Sequence, residues 1–446
     1  MLKIASFFLI FAFDVCLAQN VESYFPLSGS RSTQQQINKN ELAVQQLEFD
    51  PKVWPEVTFK QKEQPLLPLM KKVKYWNIQL PVFDHFEKKM RPFGFKFFPS
   101  KKYNAQTTRL VIIYPTIEGE SIVEGNLARM AMSEGHHVLI APIFDFEYKS
   151  GADGIADIRE KTLFGVKAVK TFFDFLEYCY RNSDHPDQQA VKILGNVRPE
   201  QILQVGVSNG TVGTYIVSQT DKRVSQQLLI VPIGNIPGVF ATTTNEKISK
   251  FRTEQMAYYG MTEQSQFANL VKKILQYDPM DFVDTHQPPQ TLAFFQKDDA
   301  TVPGRFQLEF LSRISAIVVS QELDITQVSF DSSLRMLESL KKQGLTDDTL
   351  KSMVNEISRF GEYQKNRVLR AIDTQQKRDV LFYELGFGHI KKILSIVFVF
   401  NAEIKKFFTL PKKFPSEWAK EDDLFYLRSF PLKSSGRIAC KNAVEN

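Results

Sequence analysis

From residue 70 onward the chain alternates short apolar runs of strand composition with longer segments whose apolar residues recur at helical spacing. That alternation predicts an α/β domain, a mostly parallel sheet with helices on both faces. The first two runs, Val73–Val82 and Gly94–Phe98, read as an antiparallel pair at the sheet's edge. Between 155 and 181, Leu163, Val166, Val169, Phe172, Phe175 and Leu176 mark one face of a long helix. Residues 19–65 break the pattern. They are polar and Gln/Asn-rich (Gln34, Gln35, Gln36, Asn38, Asn40), then punctuated by Pro51, Pro55 and Pro65, which reads as an extension and not a domain. A second departure at 315–377 carries two helical patterns, Ser332–Gln343 and Thr346–Ile372, joined through Gly344. The tail, 409–446, is Lys/Pro/Ser-rich and is expected to pack peripherally.

One apolar run ends in a serine set between glycines. Residues 205–213 read Val-Gly-Val-Ser-Asn-Gly-Thr-Val-Gly; Ile202, Leu203, Val205 and Val207 form the strand before, and Asn209–Gln219 continues as a helix. Gly206 and Gly210 lack Cβ, so the backbone can turn sharply and lift the Ser208 hydroxyl clear of the sheet, as in a nucleophile elbow. Those three positions alone also describe a Gly-rich turn with an ordinary serine.

A serine nucleophile needs a base and an acid. In an elbow fold the chain order is serine, acid, histidine, so the base lies far downstream. Of His85, His136, His137, His185, His286 and His389, only His389 follows every plausible acid position. It sits in Leu385-Gly386-Phe387-Gly388-His389-Ile390, directly behind the apolar run Val380–Tyr383, where a mobile, exposed base belongs. Residues 291–303 supply the acid. A strand of five residues, Thr291-Leu-Ala-Phe-Phe295, is followed by Asp298-Asp299 and a Val302-Pro303 stop, and either aspartate there can hold an imidazole Nδ1–H.

With these residues in place, the chain resembles an α/β-hydrolase of the esterase and dienelactone-hydrolase-like kind, over roughly residues 70–405, within a domain expected at 66–408. Arg109–Pro115 is similar to the family's third strand, and Thr116-Ile117-Glu118-Gly119 to the loop that supplies one oxyanion-hole amide. Asn126–Gly135 resembles the first helix, His137–Pro142 the fourth strand and Gln227–Pro232 the sixth. Tyr277–Met280 resembles the approach to the acid strand. The family's Asp-x-x-Val-Pro turn favours Asp299 over Asp298 as the acid, and Gly388-His389 matches its base. Pro115-Thr116 departs from the His-Gly common at that loop. The separation of Asp299 from His389 is also far longer than a helix and a strand need. Two insertions follow from the comparison: 238–285, cap-like, with Met256, Tyr258, Tyr259, Met261 and Phe267 as pocket liners or core, and the helical 315–377 between acid and base.

Composition narrows the picture. Phenylalanine occurs 38 times, enough for a deep core. The net charge of +6 is spread as scattered lysine pairs (Lys71-Lys72, Lys88-Lys89, Lys101-Lys102, Lys412-Lys413), not as a groove with interleaved aromatics, which argues against nucleic acid. Lys3, the apolar Ile4–Phe13 and Cys16-Leu17-Ala18 before Gln19 read as a signal peptide over 1–18, hence export to a periplasm or the medium. The apolar run is too short to span a bilayer. Cleavage leaves Cys179 and Cys440, whose pairing the sequence does not argue; Cys179 reads as a small buried hydrophobe. No histidine has zinc-ligand spacing, and adjacent His136 and His137 would face opposite sides of a strand.

The resemblance implies an exported serine hydrolase that cleaves an acyl bond of a small-molecule ester without cofactor or metal. Ser208, Asp299 and His389 would form its triad, and the backbone N–H groups of Asn209 and Thr116 (or Ile117) its oxyanion hole. A peptidase of the same fold competes with this reading, as does an exported binding or surface protein that kept the fold and lost the chemistry.

Overall fold

The computed structural model describes residues 57–67, 71–116, 120–142, 148–184, 188–282, 289–296, 299, 301–313, 318–323, 367–373, 378–385, 393, 396–397, 401–409 and 432–433. The expected signal peptide, His389, Asp298, Cys440 and the pattern Ser332–Gln343 lie outside them.

The chain enters through an antiparallel ladder of β1 (Thr58–Pro65), β2 (Lys72–Asp84) and β3 (Lys89–Phe98). Strands and helices then alternate: β4 (Leu110–Tyr114), α1 (Ile122–Ser133), β5 (His137–Ile140), α2 (Gly154–Arg181), α3 (Gln189–Leu194), β6 (Ile202–Val207), α4 (Gly210–Thr220) and β7 (Val224–Ile230). Three helices follow, α5 (Ile236–Thr242), α6 (Glu246–Tyr258) and α7 (Gln264–Leu275), before β8 (Gln290–Gln296) and α8 (Gly304–Arg313). The last described elements are β9 (Val318–Leu323), β10 (Arg367–Asp373), β11 (Arg378–Leu385), α9 (Asn401–Thr409) and β12 (Leu432–Lys433).

All the described strands join one sheet, in the order β1-β2-β3-β5-β4-β6-β7-β8-β11-β10-β9-β12. Its centre, β5-β4-β6-β7-β8-β11, is parallel throughout. The strands β4, β6 and β7 are buried at every position, as strands covered on both faces must be. By contrast β2 alternates, burying Ile78, Leu80 and Val82. The pairing of β2 with β3 (Ile78 opposite Phe95) is the antiparallel edge that the sequence predicts. Farther out, β1 comes from the end of the stretch read as an extension.

The long helix α2 packs the face read from its spacing. Leu163, Val166, Val169, Phe172, Phe175 and Leu176 are all buried, and Phe172 meets Phe95 with ring centroids 4.8 Å apart. Each such side chain contributes about 1.5–3 kcal/mol on leaving water. One expectation needs correction. The helical pattern placed over Thr346–Ile372 does not hold at its end, because Arg367–Asp373 is a strand pairing antiparallel with β11 and with β9. A short apolar run reads equally as helix or strand, and only the pairing partners decide it. Part of the long gap between Asp299 and His389 is therefore sheet.

The sheet interior also carries amides. Gln204 Nε2 donates to the Tyr114 hydroxyl (3.0 Å), linking β6 to β4. Gln227 Nε2 donates to Thr291 Oγ1 (2.9 Å), while its Oε1 accepts from Ser218 Oγ of α4 (2.9 Å). Gln226 bridges Arg109, just before β4, and Gln290, opposite it on β8. Buried polar pairs of this kind hold one register, since a slip would strand them without partners.

Two buried histidines tie the far end of the sheet. His136 Nδ1 accepts from Arg109 N (3.2 Å), so its proton sits on Nε2, which donates to Phe408 O of α9 (2.9 Å). His137 Nδ1 accepts from Ser100 N (3.0 Å). Burial, helped by Arg109, pushes His136 down to about 4; burial, helped by His136, does the same to His137.

Gln227→Ala removes one of the partners of each of two buried hydroxyls, Thr291 and Ser218, and should cost about 1–3 kcal/mol, read from the urea midpoint. The histidines set a pH dependence. Both titrate lower when folded than the ordinary 6.5, so their contribution is whole above that value and is lost as pH falls from about 6.5 towards 4. His137→Gln should flatten the fall in urea midpoint across that window while changing little at pH 8.

Candidate active site

The strand β6 delivers Ser208 directly into a turn. Its φ is 50°, the left-handed region that an L-residue with a side chain enters at a cost of about 1–3 kcal/mol. The surroundings impose it. Ser208 N donates to Ile230 O of β7 (2.8 Å), and Ser208 O accepts from Thr211 N (2.9 Å) and Thr211 Oγ1 (2.6 Å). The same hydroxyl oxygen accepts from Ile233 N (3.0 Å), so Thr211 locks the turn to the end of β7. A Cβ on Gly206 would fall 2.5 Å from Thr214 Oγ1, and one on Gly210 would fall 2.3 Å from Tyr114 O. Both glycines are required by close approach, and Ser208 heads helix α4 with its positive dipole end nearby. Among the described residues, no acceptor lies on the Asn209 N–H.

The acid candidate sits at the same edge of the sheet. The parallel register puts Val207, Ile230, Phe294 and Tyr383 in one row across β6, β7, β8 and β11. Ser208 follows Val207, and Asp299 follows Phe294 after a short loop. His389 itself lies outside the described residues, but the strand before it ends at Leu385 on this edge. Asp299 is buried, and its Oδ1 accepts from Thr301 N (2.8 Å) and Val302 N (3.0 Å). Gln307 of α8 closes the turn: Nε2 donates to Val302 O (2.6 Å), and Oε1 accepts from Gln296 N (3.0 Å). Thr243 Oγ1 adds a bond to Thr301 O (2.6 Å).

Thr116 stands at the end of β4, beside the serine turn, since Gly210 lies against Tyr114 O and Pro115 O. Its own amide, expected to serve an oxyanion hole, is already engaged here, donating to Glu124 Oε1 (3.1 Å), and the alternative Ile117 lies outside the described residues. Glu124 is fully buried in the first turn of α1, where burial raises its carboxyl and the bonds from Ser121 and Thr116 oppose that rise. Sequence reading missed Glu124, Thr211 and Gln307. Polar residues on otherwise apolar helix faces were the available signal.

The helices α5 to α7 cover the expected cap. Phe267 is core, packed near Phe251, whereas Tyr258 is 60% exposed and lines no interior. Asp278 caps α5 by accepting from Asn235 N (3.0 Å) and Ile236 N, and burial with Asp281 nearby pushes it up to about 7. Cys179 is buried and free, its thiol pushed up to about 12 by burial, which makes it inert. Among the described residues, no group of three His, Cys, Asp or Glu is placed to hold a metal, and no helix is long and apolar enough to cross a membrane.

No family model and no curated protein matches the chain. Among solved structures it is similar to acetyl xylan esterase 1 from Thermoanaerobacterium sp. JW/SL YS485, with 9% identity over 63% of this chain and 83% of that one and a TM-score of 0.44. An acetyl xylan esterase from Paenibacillus sp. R4 is similar at 14% identity, covering 66% and 89%, with a TM-score of 0.44. An acylaminoacyl peptidase from Pyrococcus horikoshii is similar at 10% identity, covering 60% and 37%, with a TM-score of 0.37. The fold rests on the chain's own strand order. The run β2-β3-β5-β4-β6-β7-β8-β11, with a strained serine turn after β6, is the α/β-hydrolase fold.

Proposed function

We propose that this protein is an exported serine hydrolase that cleaves carboxylic esters through an acyl-enzyme. The observation that carries the reading is Ser208 held at a φ of 50° between two glycines that admit no Cβ, on the sheet edge that also bears Asp299. Strain of this kind persists only where neighbouring structure enforces it, and such outliers cluster at functional sites.

In the reaction His389 takes the proton of Ser208 as its oxygen attacks the ester carbonyl. Asp299 holds the imidazole tautomer and stabilises the imidazolium. The tetrahedral oxyanion accepts from the Asn209 N–H and from an amide of the loop that begins at Thr116; each preorganised donor contributes about 3 kcal/mol. His389 then protonates the leaving alkoxide and activates water against the acyl-enzyme. Lys3, the apolar stretch after it and Ala18 before Gln19 support export.

Ser208→Ala should abolish fluorophosphonate labelling and nitrophenyl-ester hydrolysis with an unchanged melting temperature; labelling that persists excludes this nucleophile. Asp299→Asn should lower kcat by roughly 10³–10⁴, measured on the same ester. Faster turnover of short peptide anilides than of esters would instead assign a peptidase. Gly210→Ala forces Tyr114 and Pro115 aside and should cost about 1–3 kcal/mol together with a fall in kcat, read by urea midpoint and ester assay.

A further inference from the structure

The stretch from β7 through α5 touches both turns of the candidate site. Near its start Ile233 N donates to Thr211 Oγ1 (3.0 Å), the hydroxyl that fastens the Ser208 turn. Just past α5, Thr243 Oγ1 donates to Thr301 O (2.6 Å), inside the turn whose Thr301 and Val302 amides bond Asp299. Between these contacts α5 is a helix of 7 residues, about 10 Å long, with Ile236, Val239, Phe240 and Ala241 buried. Its head is held from outside the helix. Asp278, which precedes the 3₁₀ turn Pro279–Phe282, accepts from Asn235 N (3.0 Å) and Ile236 N, and Asn235 Nδ2 donates to Glu309 Oε2 of α8 (3.0 Å). The fit is close. A Cβ on Gly234 would lie 2.6 Å from Phe310 Cβ, and one on Gly238 would lie 2.6 Å from the Phe306 ring.

Helix capping explains only part of this. Asn235 already caps α5, its Oδ1 accepting from Gly238 N (3.1 Å). Asp278 adds a second grip from a distant segment. A buried carboxyl is costly unless donors converge on it, and Met280 N supplies a third, at 2.9 Å. The backbone leading into α5 is strained as well. Val231 has a φ of 56° and Asn235 one of 50°. For a β-branched residue such a value is a true outlier, and it persists only where the surroundings enforce it.

We propose that α5 is a rigid brace between the Ser208 turn and the Asp299 turn, and that Asp278, which holds its head, is a positioning residue for both. The inference rests on the hydrolase reading above for what that spacing serves. Nucleophile and acid must keep one separation if a single imidazole is to meet both, and a displacement of about 1 Å can cost roughly 100-fold in rate. Loosening either end of α5 moves Asp299 relative to Ser208, a loss felt in turnover and little in substrate binding.

The test uses the full chain with Asp278→Asn, Thr243→Val, Thr243→Ser and the combined Asp278→Asn/Thr243→Val, followed by nitrophenyl-ester kinetics and by amide hydrogen exchange. Asp278→Asn and Thr243→Val should each lower kcat roughly 5–30-fold and leave KM within about threefold. Thr243→Ser, which keeps the hydroxyl, should recover most of the loss. Because either release slackens the same brace, the combined variant should fall no more than about twofold below the weaker single one, whereas independent sites would multiply their losses. Exchange reads the coupling without catalysis: Asp278→Asn should quicken it at Thr301 and Val302, and Thr243→Val at Ile233. If Asp278→Asn fails to fold, Thr243→Val carries the test. The proposal is overturned if exchange quickens only beside the substituted residue, if both single variants keep kcat, or if their losses multiply. A failure of the hydrolase reading looks different: the unsubstituted chain would be as inactive as Ser208→Ala, while the exchange result would still decide whether α5 couples the two turns.

Discussion

Between Val207 and Thr211 the backbone must pass from strand to helix through a space with no room for a Cβ at Gly206 or Gly210. Ser208 is forced left-handed as a result. The rest of the structure is arranged around that tight point. Thr211 fastens the turn to β7, and Tyr114 and Pro115 bring the end of β4 against the head of α4. The parallel register then sets the acid turn and the strand leading to His389 along the same edge. Rigidity here comes mainly from backbone groups and from side chains that bond to them, which is what the proposed chemistry asks of its donors.

Much of the frame was legible in the sequence. The runs at Ile202–Val207, Gln227–Pro232, Thr291–Phe295 and Val380–Tyr383 fall on four consecutive parallel strands, β6, β7, β8 and β11, and the helix over 155–181 appeared almost residue for residue, because a continuous apolar period reports burial directly. What stayed hidden was polar or non-local. Glu124, Gln307 and Thr211 act through single hydrogen bonds to distant backbone, and no periodicity announces such a bond. Arg367–Asp373 looked helical because a short apolar run is silent about its partners; pairing with β11 and β9 made it a strand.

The candidate site divides in the same way. The turn at Ser208 was marked in the sequence by the glycines that its close approaches require, and buried Asp299 by the Val302-Pro303 behind it; their roles as nucleophile and acid belong to the proposed function. The segment after β4 was not so marked: its Pro115-Thr116 start departs from the His-Gly common in the family it resembles, the Thr116 amide is taken by the Glu124 carboxylate, and nearby Glu120 accepts from Gln64 of β1, the strand recruited from the N-terminal extension.

That recruited strand has a further consequence. It forms one rim of the sheet, and Lys60, Gln61, Lys62 and Glu63 along it are exposed. A bare hydrogen-bonding rim invites a second molecule to zip on and seed fibrous assemblies. Charged side chains standing along the rim make such stacking unfavourable.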